Sequence, residues 1–366
     1  MSNSLPFRLL GLTLVAGFQA IYPPAARALT QPPPSGQILQ VQGEAKLLRN
    51  QGFEVPVTVG MILYPGDRLQ IQVGSQVRLQ CADLSLPLLS GRPQPVGGCL
   101  ASKPKPRCSP GVLRCPRRIE GIAQNLSDIP FLISPRKTAI FSDRPHLRWH
   151  PVPGATTYTV RLQGADIPDW QTTVTSPEVT YDGAPLQPGS YYLWSVETDT
   201  GKFSRSEESS NLGIQRLDRA SQQRLQQVLQ PLQALPLDAD GLALGLAAVY
   251  RQFELYADAI AVLEQRVAQG NAATAVYHLL AELYRQVELA ILAVPTYQQA
   301  IARGTPQDRE TAVVAGIQLA ELYEEMGDVN GAIATLHQAL QQTETLQDQA
   351  RSRDLTEKLQ QLKTRN

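Results

Sequence analysis

The sequence predicts a multidomain chain of the β-then-α fold class, in which small all-β domains come first and an α-helical solenoid follows. Two patterns carry this prediction. As far as about residue 200, apolar residues alternate with polar ones in short runs between Gly- and Pro-containing turns, which is typical of half-buried strands. From residue 217 onward, apolar residues recur every three to four positions, as in amphipathic helices, and part of this segment repeats.

Length and charge narrow the possible functions. At ~150 residues per domain, 366 residues predict two to three domains that are large enough for hydrophobic cores. Basic and acidic residues balance at 33 each, which argues against a protein that binds polyanions through its bulk charge.

Residues 1–28 have the pattern of a secretory signal peptide. Arg8 is followed by a mostly apolar run over residues 9–21, and Ala26-Arg27-Ala28 fits a small-x-small cleavage site. A retained anchor helix is the alternative. No later apolar run approaches the roughly 20 residues that a membrane span needs. We therefore expect a periplasmic or secreted protein with no transmembrane segment after cleavage.

Four cysteines, Cys81, Cys99, Cys108 and Cys115, lie close together in the sequence. An even number of cysteines in an exported chain suggests two disulfides. Short local loops favour the pairs Cys81–Cys99 and Cys108–Cys115, although four cysteines allow three connectivities. A zinc site is a weaker alternative, because no pair has C-x-x-C spacing and no histidine lies nearby.

Residues 35–100 predict a small β domain. Its clearest feature is a hairpin in which residues 69–73 and 77–81 alternate on either side of a Gly74-Ser75 turn, with Cys81 facing inward. The domain resembles the FecR-like β domain, which implies a β fold without implying iron regulation. The residues that carry the resemblance are Val41, Gly43, Val59, Gly60, Leu63, Gly66, Asp67, Leu69, Gly74, Ser75, Val77 and Leu79.

Residues 101–129 form a Pro-rich, basic segment that we interpret as a solvated linker. Contact with an anionic lipid, polysaccharide or nucleic acid is the open alternative. No aromatic residue is interleaved to stack on a base, so a nucleic-acid partner is not expected. The basic residues are Lys103, Lys105, Arg107, Arg114, Arg117 and Arg118.

Residues 130–215 predict an antiparallel β-sandwich, because Trp149 lies in an early alternating run and Tyr192, Trp194 and Val196 alternate in a late one. These residues resemble those of an immunoglobulin-like or fibronectin type III-like domain, which implies that Tyr192 forms a tyrosine corner. Trp149, Trp170, Tyr192 and Trp194 could instead form a sugar-binding face, but the same alternation is typical of a sandwich core.

The C-terminal part contains an internal repeat. After a helical connector over residues 216–240, the motif Leu-Ala-x-x-Tyr occurs at 246–250, 280–284 and 319–323. A small residue follows each Tyr by nine positions: Ala259, Ala293 and Ala332. The Tyr spacings are 34 and 39, and 34 is the period of tetratricopeptide (TPR) repeats. We place the five additional residues in a turn at Gly304–Glu310.

The resemblance to TPR repeats covers three repeats over residues 241–344, followed by a capping helix over residues 345–366. It implies helical hairpins stacked into a superhelix with a concave, protein-binding groove. The candidate groove residues are Arg251, His278, Glu282, Arg285, Glu321 and Glu324. An ordinary solvated face is the alternative interpretation for each of them.

Sequence motifs of catalysis do not occur. The sequence has no Gly-x-Ser-x-Gly elbow, Walker loop or dinucleotide fingerprint, and its four histidines lack metal-ligand spacing. We therefore expect a non-enzymatic interaction protein without a metal or cofactor, which binds another exported or envelope protein through the TPR groove. The alternative is an envelope protein whose β domains bind peptidoglycan or polysaccharide.

Peptide mapping under non-reducing conditions tests the disulfide prediction. Digestion of the exported protein should release a peptide pair that joins Cys81 to Cys99 and a second pair that joins Cys108 to Cys115. Four free thiols, or one bound zinc per chain, would contradict it.

Overall fold

The computed structural model describes residues 33–91, 94, 95, 99, 128–204 and 213–365. All of them belong to one compact unit, residues 31–366. The predicted signal peptide, nearly all of the basic linker and the pair Cys108 and Cys115 lie outside the described residues.

The described N-terminal half is built from strands in four sheets. The strands are β1 (Gly36–Gln42), β2 (Ala45–Leu48), β3 (Glu54–Pro56), β4 (Ile62–Leu63), β5 (Arg68–Ile71), β6 (Gln76–Cys81), β7 (Leu88–Ser90), β8 (Gln94–Pro95), β9 (Leu132–Ser134), β10 (Thr138–Ile140), β11 (His146–Trp149), β12 (Tyr158–Gly164), β13 (Trp170–Val174), β14 (Glu178–Thr180), β15 (Tyr191–Thr198) and β16 (Ile214–Arg216). A first β module contains β1–β8, and a second contains β9–β16.

Eight helices follow in the described residues. They are α1 (Arg219–Gln233), α2 (Ala239–Gln252), α3 (Tyr256–Ala268), α4 (Thr274–Gln286), α5 (Ala290–Arg303), α6 (Arg309–Met326), α7 (Val329–Thr345) and α8 (Gln349–Arg365). Aspartates cap several of the N-termini: Asp238 accepts a hydrogen bond from the Gly241 amide, and Asp328 accepts one from the Gly331 amide. None of the described helices is both long and apolar enough to cross a membrane.

The first β module consists of two facing sheets, with strand orders β4-β1-β6-β7 and β3-β2-β5-β8. The predicted hairpin is wrong, because β5 pairs with β2 and β8 whereas β6 pairs with β1 and β7. The Gly74-Ser75 turn therefore carries the chain from one sheet to the other. Alternation correctly indicates that Leu69 and Val77 face the core, but Val73 is exposed. The alternation of apolar and polar residues indicates which side chains face the core, but it does not identify the neighbouring strand.

Two turns that switch sheets stack on each other in this module. Gly43 lies in the turn between β1 and β2, and Ser75 lies in the turn between β5 and β6. A Cβ added to Gly43 would lie 2.2 Å from the Ser75 hydroxyl oxygen. The same hydroxyl accepts a hydrogen bond from the Glu44 amide at 2.9 Å. Gly43 is therefore required by this close approach. The structure also contains the Cys81–Cys99 disulfide, with a Cα–Cα distance of 4.9 Å.

The second β module is a sandwich of a three-stranded sheet, β14-β11-β9, and a five-stranded sheet, β10-β16-β15-β12-β13. Their facing side chains share one core that includes Trp149, Tyr192 and Trp194. The Tyr192 hydroxyl accepts a hydrogen bond from the Gln187 amide at 2.6 Å, which is the predicted tyrosine corner. Because these three aromatic rings are buried, the proposed sugar-binding face is wrong, and Trp170 alone of the four remains half-buried.

The helices α2–α7 form three antiparallel hairpins, and α8 packs against α7 at the end of this helical array. Ala259, Ala293 and Ala332 are completely buried on the second helices α3, α5 and α7 of the hairpins. The five additional residues do not lie in a turn. The loops before α4 and α6 have equal length, whereas α6 has 18 residues and α4 has 13. Four of the additional residues therefore lengthen the start of α6, and the fifth lengthens α5, which has 14 residues where α3 has 13.

The second β module packs on the turns between the two helices of a hairpin. In the first turn, the Glu254 carbonyl accepts a hydrogen bond from the Ala139 amide of β10 at 2.9 Å. In the second, the Val287 carbonyl accepts one from the Arg136 side chain at 2.8 Å. Glu254 adopts a φ of 61°, and the tight turn that this conformation makes brings its carbonyl to the strand.

The alanine positions provide a test of the helix register. Ala293→Leu should lower the melting temperature of the full chain, because overpacking a close helix contact costs about 1–3 kcal/mol. Ala302→Leu on the same helix α5 is the control, since Ala302 is exposed. Equal melting temperatures for the two variants in a thermal unfolding experiment would contradict the register.

Candidate functional site

One face of the helical array is built by α2, α4, α6 and α8, the first helices of the hairpins and the cap. We call it the first-helix face. Its residues recur at helical spacing, so each set lies along one side of its helix. They are Gly241, Leu244 and Arg251 of α2, Ala275, His278, Glu282 and Arg285 of α4, Glu310, Gln318, Glu321 and Glu325 of α6, and Arg351 and Lys358 of α8.

The N-terminal part of the first-helix face is covered by the first β module. The Gln37 side chain of β1 donates a hydrogen bond to the Leu244 carbonyl at 3.2 Å. A Cβ added to Gly241 would lie 2.1 Å from the Leu39 carbonyl oxygen, so only glycine permits this approach. A Cβ added to Gly60, which has a φ of 82°, would lie 2.2 Å from the Ala275 side chain. Strand and helix backbones are thus in direct contact.

A cluster of buried charged residues, which includes one of α8, lies where the first β module meets α6. Arg49 of the first β module is only 4% exposed, and it lies 2.6 Å from Glu310 of α6. It also pairs with Asp67 of its own module at 2.5 Å. Arg351 of α8 lies 3.5 Å from the second oxygen of Glu310 and 3.2 Å from Asp348. The cluster therefore joins the β module to the third hairpin and to the cap.

Electrostatics of the cluster follow from its burial. Loss of water alone would lower the pKa of Arg49, but the charges of Glu310 and Asp67 raise it above its ordinary value. Burial also raises the pKa of Tyr64, whose ring stacks against Arg49, to about 12. Both groups keep their protons at any physiological pH, so the arginine remains a permanent cation.

The C-terminal part of the first-helix face is a ladder of ion pairs between neighbouring helices. Arg251 of α2 donates to Glu282 of α4 at 3.3 Å. Gln318 of α6 donates to Glu282 at 2.8 Å, and its amide oxygen lies 2.7 Å from the His278 ring.

The ladder continues from α4 to α8. Arg285 of α4 donates to Glu321 at 3.2 Å and to Glu325 at 3.3 Å, both on α6. Lys358 of α8 pairs with Glu324 of α6 at 2.9 Å. Each first helix is therefore bonded to the next through charged or amide side chains.

Neighbouring charges set the protonation of this ladder. Burial would raise the pKa of Glu282, but His278, Arg251 and the hydrogen bond from Gln318 hold it below its usual range. The Arg285 pKa would fall with burial, but the hydrogen bond and charge of Glu325 and the charge of Glu321 raise it. Burial dominates at Glu321, whose pKa is raised despite Arg285.

All six sequence-predicted groove residues lie on the first helices and make inter-helix contacts. Arg251 and Glu325 are the most accessible charged groups of the ladder, at 41% and 40% exposure. Gln318, Glu325 and Lys358 are not among the sequence-predicted groove residues, although the spacing of three to four from Glu321 could have indicated the first two. Within the described ranges, no group of three or more His, Cys, Asp and Glu residues could hold a metal ion.

No family model matches the chain, and no curated protein matches it. The FecR-like interpretation of residues 35–100 therefore stays a prediction. Several solved structures match parts of the chain.

Three of these structures represent the matches. A crystal structure of MamA is 18% identical over 39% of this chain and 90% of its own, with a TM-score of 0.27. A Podosopora anserina kinesin light chain protein with nearly identical TPR-like repeats is 18% identical over 39% of this chain and 85% of its own, with a TM-score of 0.28. The fn3 domain of the human collagen alpha-1(XX) chain is 29% identical over 26% of this chain and 91% of its own, with a TM-score of 0.19.

Removal of one charge tests the buried cluster. Glu310→Gln leaves Arg49 buried with one carboxylate fewer, and losing a partner of a buried pair costs about 3–5 kcal/mol. The melting temperature should therefore fall well below that of the matched control Glu344→Gln, because Glu344 is exposed on α7. If the two variants melt together, Glu310 does not hold the β module.

The lowered pKa of Glu282 predicts a dependence of stability on pH. Because its pKa is lower in the folded than in the unfolded state, Glu282 stabilises the fold above the unfolded value and loses this effect as the pH falls through the folded value. Glu282→Gln should therefore melt lower than the parent at pH 7, and the difference should shrink on acidification below about pH 4. Thermal unfolding at several pH values in this range measures the difference in melting temperature between the two proteins. A difference that does not change with pH would contradict the lowered pKa of Glu282.

Proposed function

We propose that the protein is an exported, non-enzymatic interaction scaffold, in which the C-terminal part of the first-helix face binds another exported or envelope protein. One observation carries the proposal. The N-terminal part of the same face already binds a folded protein surface, the first β module, through contacts to α2, α4 and α6. This array face is therefore suited in shape and polarity to a protein ligand.

The part of the face that the β module leaves accessible has the character of a polar recognition surface. Arg251 and Glu325 lie toward the C-terminal ends of α2 and α6, and each keeps about two fifths of its side chain exposed. Between them, Arg285 and Glu321 are partly exposed and held in fixed orientations by their ion pairs. Side chains that are already oriented lose little conformational entropy when a partner binds.

The second candidate function is binding of a cell-envelope polymer by the β modules. It rests on the basic linker at residues 101–129, since Trp149, Tyr192 and Trp194 of the second module are used in its core. Retention of the purified protein on peptidoglycan or polysaccharide would favour this candidate.

Site-specific photocrosslinking in cells distinguishes the two. A photoreactive amino acid at position 251 and, separately, at position 325 should capture the same protein, because both positions border the accessible part of the face. Position 291 is the control, since Ile291 is 43% exposed but lies on the second helix α5. Equal capture from position 291, or glycan adducts in place of a protein, would contradict the proposed function.

A further inference from the structure

One strand edge of the second β module differs from every other edge in the described part of the chain. The four sheets end in eight edge strands, and seven of them are two or three residues long. The exception is β13, which pairs with β12 over five residues, from Leu162 opposite Trp170 to Tyr158 opposite Val174. Its other side faces no strand of the described residues.

Other edges are blocked by features that discourage pairing with a second chain. The outer edge of β10 is bonded to the helical array through Ala139 and Glu254. Strand β3 carries Glu54 and ends at Pro56, and β14 carries Glu178. Charged residues, prolines and coverage by other elements are the usual means by which proteins protect sheet edges.

As far as the structure describes the chain, strand β13 has none of these protections. Its sequence, Trp-Gln-Thr-Thr-Val, contains no charge, proline or glycine and is rich in residues that favour strands. Within the described residues, no backbone group outside β12 forms a backbone hydrogen bond with it. The unpaired N–H and C=O groups along this edge are therefore available to another strand.

The strand is also complementary to itself. If two copies pair antiparallel about a two-fold axis at Thr172, then Thr172 faces its own counterpart. Gln171 then faces Thr173, and Trp170 faces Val174. Thr–Thr pairs and pairs of an aromatic with a β-branched residue stabilise antiparallel sheets, and no like charges face each other within the strand. The arrangement uses the same surface of both copies, so it closes as a dimer.

We propose that β13 is a homodimerisation edge, through which two copies of this chain join their five-stranded sheets into one continuous ten-stranded sheet. The occupant of the edge is thus a second copy of the chain. Five residues per copy bury less than a standard interface of about 1,600 Å², so the dimer is weak and depends on concentration. This surface lies apart from the first-helix face and does not depend on the proposed function.

Sedimentation velocity of the full chain over a concentration series tests the proposal. The parent should shift from monomer to dimer as concentration rises. Thr172→Lys and Thr172→Glu should each stay monomeric, because each places like charges opposite one another at the two-fold axis. An equimolar mixture of the two variants should dimerise again, since the introduced lysine then faces the introduced glutamate. Thr356→Lys, on the exposed side of α8, should dimerise like the parent.

Hydrogen exchange of the unmodified chain supplies a second measurement that needs no variant. Amides of residues 170–174 should exchange more slowly at high than at low protein concentration, while those of α8 should not change. A parent that stays monomeric at every concentration would overturn the proposal. So would dimerisation of Thr172→Lys alone, or a mixture of folded charge variants that does not dimerise.

Discussion

The guanidinium of Arg49 is the group on which the position of the first β module on the helical array depends. Taking a charge out of water is costly, and the cost is offset only where carboxylates meet it with good geometry. Asp67 supplies one carboxylate from the same module, and Glu310 supplies the other from the array. The first β module can therefore settle on the array in one position only, because any displacement would leave the arginine buried without its second partner.

Close backbone contacts between the first β module and the helices add to the Arg49–Glu310 ion pair. Gly241 and Gly60 bring strand and helix close enough for the Gln37 amide to bond a helix carbonyl. The second β module reaches the array differently, since it bonds the turns of the hairpins rather than the first-helix face. The two modules thus contact different elements of the array, and the first two hairpins are restrained at both their starts and their turns.

Local pattern predicted much of this fold. Alternation identified the inward side chains of the first module, and the 34-residue period located the buried alanines of the hairpins, because both signals lie within one element or one repeat. The partner of β6 could not be found in this way. Its pairing with β1 depends on how the turns at Gly43 and Ser75 stack, which is a contact between distant segments.

In the candidate site, too, the sequence predicted features within one helix but not the contacts between helices. Repeat register placed Arg251, Glu282 and Arg285 on the correct helices, but their partners lie 31 to 40 residues away on the next helix. Pairing across repeats depends on the rotation of each helix about its axis, which the motif positions alone do not give. The Arg49–Glu310 pair spans 261 residues, and no local signal indicates it.

The lengthened start of α6 makes the three hairpins unequal in role. Glu310 is the second residue of that helix. At the corresponding positions of the other two hairpins, Leu237 and Asn271 precede the helix and carry no carboxylate. Solenoids are usually regarded as interchangeable units that evolution can duplicate, delete or reorder. Here the third hairpin carries the carboxylate that pairs with Arg49 of the first β module. A change in repeat number or order would therefore remove this carboxylate from its position beside Arg49, rather than merely lengthen or shorten the array.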